Sequence, residues 1–156
     1  MVKGIVAEDF VNYKVPSMFI STVQCDWKCC NGDPALCQNS VLLNTPNTEI
    51  KDIDIYHAFK QNDISKAVVI GGLEPFMQFD ELVDLIDLFR SSGETCDFVI
   101  YTGYYPNEVS DEILVLLSYK GIIIKFGRYM PDRQPIFDDV LGVTLASDNQ
   151  FAVRIT

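Results

Sequence analysis

Met18-Phe19-Ile20-Ser21-Thr22-Val23-Gln24-Cys25-Asp26-Trp27-Lys28-Cys29-Cys30-Asn31-Gly32-Asp33-Pro34-Ala35-Leu36-Cys37-Gln38-Asn39 joins a short apolar run to a polar loop holding four of the five cysteines. Residues 18–23 read as a buried strand, and a loop that follows a strand is where α/β proteins build their sites. Three more continuous β-branched or aromatic runs follow, at 67–70, 98–101 and 122–124. Each suits a sheet covered on both faces. Amphipathic segments separate them, which predicts an α/β fold with a mainly parallel sheet.

The intervening helices are signalled by spacing. Leu82, Leu85, Ile86 and Phe89 form one apolar stripe, with Asp80 and Glu81 at its start, Arg90 near its end and Ser91-Ser92-Gly93 as the stop. A second helix is expected with Ser110 as cap, Asp111 and Glu112 in its first turn, and Ile113, Leu116 and Leu117 inward, ending before Gly121. A weaker one spans about 52–60, with Ile53, Tyr56 and Phe59 inward. From Pro131 the chain is loop-rich, and strand character returns at 140–145 and 152–155. No internal repeat or linker divides it, so residues 1–156 are expected to form a single domain.

Composition narrows the function. With 12 Lys and Arg against 22 Asp and Glu, the formal charge is −10, and no basic cluster offsets it locally. Nucleic acid is therefore not an expected partner. No apolar stretch approaches the roughly 20 residues a bilayer requires, so no membrane association is expected. The first ten residues lack the apolar core of an export signal, which, with an odd number of cysteines, points to a reduced, cytoplasmic setting.

Cys25, Cys29, Cys30 and Cys37 carry the chemistry. Clustered thiolates repel one another unless a cation shares their charge, so the segment reads as a metal or iron-sulfur site. All four could close a tetrahedron around zinc, making a non-catalytic, protein-binding module. Adjacent side chains such as those of Cys29 and Cys30 often diverge, however, and the paired C-x2-C knuckles of structural zinc are missing. Three cysteines on a [4Fe-4S] cluster would instead leave one iron open for a substrate or cofactor, with Cys30 spare.

These residues resemble the radical S-adenosyl-L-methionine (SAM) superfamily, and within it the activating proteins of anaerobic ribonucleotide reductase. Cys25 and Cys29 match the first half of the C-x3-C-x2-C signature, and Gly32 stands where the third cysteine is expected. Leu36-Cys37-Gln38-Asn39 matches the context of that third cysteine, displaced by five residues. The resemblance therefore implies Cys25, Cys29 and Cys37 as cluster ligands, with Cys30 as the alternative. Gly71-Gly72-Leu73-Glu74-Pro75 resembles the G-G-E-P motif that holds the amino group of SAM, with Leu73 in place of the second glycine. Tyr101-Thr102-Gly103-Tyr104 resembles a string at the end of the next strand. Residues 122–129 resemble the strand and loop beyond it, with Phe126 in place of an acid. Ser147-Asp148-Asn149-Gln150 resembles the terminal stretch.

What the resemblance implies is an open partial (β/α) barrel of radical SAM type. The expected cofactors are a [4Fe-4S] cluster and SAM, with Gly71, Gly72, Glu74, Thr102, Trp27 and Leu36 as cofactor contacts and Lys125 as a donor to the SAM carboxylate. Trp27 either stacks on adenine or covers apolar surface. The expected reaction is reductive cleavage of SAM to methionine and a 5′-deoxyadenosyl radical, which takes a hydrogen from a glycine Cα of the partner. The expected partners are a glycyl radical protein, anaerobic ribonucleotide reductase first, or another protein or peptide, and a small electron-donor protein such as a flavodoxin. His57 is expected to be solvated and Cys96 to be a small packing residue.

Overall fold

The structure is a computed structural model that describes residues 1–156. Its strands are β1 (Gly4–Asp9), β2 (Ser17–Ser21), β3 (Ala67–Gly71), β4 (Asp97–Tyr101), β5 (Ile122–Phe126), β6 (Ile136–Asp138), β7 (Val143–Leu145) and β8 (Phe151–Arg154). The helices are α1 (Asp52–Gln61), α2 (Phe79–Ser91) and α3 (Ser110–Leu116). Six strands form one sheet in the order β1-β2-β3-β4-β5-β8. The β2, β3, β4 and β5 neighbours pair in parallel, and antiparallel β1 and β8 close the two ends. Strands β6 and β7 make a separate hairpin.

The parallel centre follows from apolarity on both faces. Every residue of β3 and of β5 is buried, and successive side chains alternate between faces. Val68, Ile70, Phe98, Ile100, Ile122 and Ile124 pack on one side with Ile55 and Phe59 of α1, Leu82 to Phe89 of α2 and Leu116 of α3. All three crossover helices thus cover the same face. Ala67, Val69, Val99 and Ile123 face the other way and meet Tyr13, Leu141, Leu145 and Ala152, so the tail and the loop after β1 supply the second layer there.

Helix α2 bears out its predicted stripe: Leu82, Leu85, Ile86 and Phe89 are buried. Arg90 closes it by donating to the Cys96 and Lys120 carbonyls at 2.9 and 2.7 Å. Helix α1 lies where expected but turns a different face inward. Ile55 and Phe59 are buried beside Tyr56, while Ile53 is 40% exposed. An i, i+3, i+6 set drifts by about 60° per step on a helix of 3.6 residues per turn, so Ile53 and Phe59 cannot share one face. In α3, Val109 takes the cap position, without a side-chain hydrogen bond, and Ser110 is the first residue inside the helix. The preceding turn at Pro106–Glu108 starts the helix instead, with Glu108 accepting the Tyr105 N–H at 2.9 Å. The helix stops at Leu116, leaving Leu117 47% exposed.

Two strands escape the sequence pattern. β1 is an edge strand with three consecutive exposed residues, and β6 is mostly exposed. Neither presents a buried apolar run. No helix is long and apolar enough to cross a membrane.

Candidate metal centre

The cysteine loop leaves β2 and is pinned at once to the end of β3. The Thr22 N–H and hydroxyl both donate to the Gly71 carbonyl, and the Glu74 N–H donates to the Gln24 carbonyl at 2.8 Å. Three short turns follow, at Lys28–Cys30, Pro34–Leu36 and Ser40–Leu43. Trp27 and Asn31, both at positive φ (59° and 53°), bracket the first. Asp33 accepts the Ala35 N–H at 3.0 Å and Pro34 opens the second turn, so the displaced residues fold into a compact excursion before Cys37. Asn39 then donates to the Gly72 carbonyl at 2.6 Å.

Cys25, Cys29 and Cys37 line one cavity of about 370 Å3 at the C-terminal ends of the parallel strands. Cys30 does not line it; its thiol is buried 3.4 Å from the Trp27 carbonyl, yet lies only 4.0 Å from the Cys29 sulfur. The expected divergence of these two neighbours is thus incomplete. Burial pushes the Cys25 thiol up to about 11, and burial with neighbouring thiols pushes Cys29 up to about 12. Such thiols ionise when a cation takes up their charge.

The donor set fits an iron-sulfur cluster. Cys25 Sγ accepts the Trp27 N–H and Cys37 Sγ accepts the Asn39 N–H, each at 3.4 Å, and amide donors of this kind stabilise ligating thiolates. No three Cys, His, Asp or Glu side chains converge closely enough to hold a single ion.

Two buried ionisable groups line the same cavity. Glu74 is 5% exposed; its Oε1 accepts from Phe76 N and Thr102 Oγ1, and its Oε2 from Gly103 N at 2.9 Å. Burial raises its carboxyl to about 6 against those three hydrogen bonds. Burial lowers the Lys125 ammonium to about 8, opposed by attraction to Glu74 and Cys29. It donates to the Gly127 carbonyl at 3.0 Å, so this lysine is enclosed.

Of the sequence-derived site residues, Gly72, Glu74, Thr102 and Lys125 line the cavity with the three cysteines. Gly71 ends β3, where a Cβ would lie 3.0 Å from that of Tyr101; its lack of a side chain serves strand packing. Trp27 and Leu36 are not on the cavity wall, and Leu36 is 64% exposed. Leu73 is buried on that wall, so the side chain that replaces a glycine takes up space beside the thiols. Phe19, Ser21 and Tyr101 also line the cavity. Strand alternation signals all three, because they share the inner face of Val69, Val99 and Ile123. The terminal stretch acts at one remove as well as directly. Gln150 lines the cavity and donates to the Gly127 carbonyl, while Asn149 donates to that of Arg128 at 2.7 Å. His57 is exposed, and Cys96 packs against the helix-side core.

Residues 17–140, about four-fifths of the chain, match the family described as a 4Fe-4S single cluster domain. No curated protein and no solved structure matches the chain.

Proposed function

We propose, from the premise that the chain belongs to the 4Fe-4S single cluster domain family, that it is a radical SAM activase that generates a glycyl radical on an anaerobic ribonucleotide reductase. The observation that carries this reading is the cavity that Cys25, Cys29 and Cys37 share with Glu74 and Lys125. In this reading the sheet is an open partial (β/α) barrel, which the placing of all three helices on one face supports.

Bound to these three cysteines, a [4Fe-4S] cluster would supply an electron for reductive cleavage of a carbon-sulfur bond of SAM. The chain's own groups bind and orient. Gly72 and Glu74 receive the amino group, Glu74 being held for it by Thr102 and Gly103. Lys125 donates to the carboxylate. Cys30 remains outside the ligand set. Leu73, Phe19 and Tyr101 narrow the space around the reacting centre and exclude water from it.

A large protein partner would cover the cavity, whose cysteines stand in loops at the C-terminal ends of the strands. A small electron-donor protein such as a flavodoxin completes the system, and five free cysteines suit a reduced, cytoplasmic setting. The test is anaerobic reconstitution with iron and sulfide, chemical reduction and assay of 5′-deoxyadenosine from SAM, repeated with the candidate reductase and read by electron paramagnetic resonance. Product formation and a partner-dependent glycyl signal are expected. A fully loaded, reduced protein that leaves SAM intact would contradict the proposal.

A further inference from the structure

Lys125 is a buried cation that makes no direct ion pair, although Glu74 attracts it from further off. It is 6% exposed, its ammonium makes one hydrogen bond, to the Gly127 carbonyl, and none of the molecule's ion pairs includes it. Its place in β5, paired with Tyr101 of β4, turns it to the inner face, 5.8 Å from the Tyr101 ring centroid. There it shares a cavity with three thiols. Glu74, the acid on the same wall, has both oxygens engaged by Phe76, Thr102 and Gly103.

Taking an ammonium out of water costs several kcal/mol unless negative charge compensates it. The chain offers no such charge within ion-pair distance. We propose that Lys125 is the fixed countercharge of the thiolate-ligated cluster and raises its reduction potential, and that Gln150 positions it. This inference rests on the [4Fe-4S] reading of the site.

Three thiolates make the ligated cluster anionic, and reduction by one electron from an external donor adds another negative charge without making or breaking a bond. A cation in the same poorly screened space therefore stabilises the reduced form more than the oxidised form. Gln150 acts through the Gly127 carbonyl. Its Nε2 donates to that oxygen at 3.2 Å, its Oε1 accepts the Ser147 N–H, and its side chain is buried. The oxygen that holds the ammonium is thus itself held. Gly127 has φ +100°, and a Cβ there would lie 2.8 Å from the Asn149 carbonyl oxygen, so the loop and the terminal stretch fit only without a side chain at that point.

The test is a dye-mediated potentiometric titration, without SAM, of the anaerobically reconstituted full chain and its variants, matched in iron and sulfide content. Lys125→Met and Lys125→Gln should shift the midpoint to more negative potential. Lys125→Arg should keep it close to wild type, and Gln150→Leu should give a smaller negative shift. Loading of the arginine variant alone among the three Lys125 variants would also support the charge requirement. A loaded neutral variant with the wild-type midpoint overturns the role of Lys125 and leaves the cluster reading intact. Wild-type protein that takes up no cluster overturns both.

Discussion

Asn39 donates its side-chain amide to the carbonyl of Gly72 at 2.6 Å, fastening the segment after Cys37 to the turn beyond β3. The same residue's N–H donates to Cys37 Sγ. One residue thereby sets both the position of a candidate ligand and its electrostatic surroundings. Asn39→Ala removes only the first contact, at a cost of about 1 kcal/mol in net hydrogen bonding. The expected outcome is a folded protein that loses iron faster than wild type under a chelator, measured by the decay of its visible absorbance.

Cys30 and Cys37 should respond oppositely to substitution. Cys37 is on the cavity wall, whereas Cys30 is buried and does not line it. Cys37→Ala is expected to abolish SAM cleavage, and Cys30→Ala to spare most of it. The reverse pattern in the 5′-deoxyadenosine assay would exchange their assignments.

Trp27 lies off the cavity wall, held at positive φ between Asp26 and Lys28. Trp27→Phe should therefore leave the equilibrium affinity for S-adenosylhomocysteine within about twofold, whereas Glu74→Gln should weaken it about tenfold or more, in line with the value of a charged hydrogen bond. Calorimetry on the loaded protein checks both.

The sheet's far end carries an acid-labile tie. Arg154 makes a two-pronged contact with Asp97, whose second oxygen also accepts the Tyr13 hydroxyl at 2.7 Å. Arg154 foremost, then Tyr13, hold the Asp97 carboxyl below its usual range, although partial burial opposes them. A carboxyl depressed in the folded state contributes stability above its unfolded pKa of about 3.9 and loses it as pH falls through the lower folded value. Chemical denaturation should thus show wild type more stable than Arg154→Leu at neutral pH, with the gap closing below about pH 4. A gap independent of pH would assign the difference to packing.

The helix-side core depends on Phe89, which is fully buried and has the rings of Tyr56, Phe59 and Phe98 at 5.2 Å. Phe89→Ala should cost about 3–5 kcal/mol, read as a lower denaturant midpoint.

How much of this was legible in the sequence depended on burial. Strands β3, β4 and β5 are apolar on both faces, and α2 has a full stripe, so their residues announce them. Edge strands β1 and β6 are held by backbone pairing with little burial, and composition gives such strands no signature. Cys25, Cys29, Glu74 and Thr102 could be found because each stands at the end of a readable strand or in the loop after it. The path of Cys37 could not be read, because it depends on the turn that Asp33 and Pro34 build. Nor could the setting of the Lys125 ammonium, whose acceptor, the Gly127 carbonyl, is also held by Gln150 from 23 residues further along the chain.

The most direct test of the central claim, that three thiols hold a four-iron cluster with one iron free, is electron paramagnetic resonance of the reduced, reconstituted protein before and after SAM is added. One [4Fe-4S] signal per chain is expected, with a line shape that changes when SAM binds. A signal indifferent to SAM, or a chain that retains one zinc and no inorganic sulfide, would contradict it.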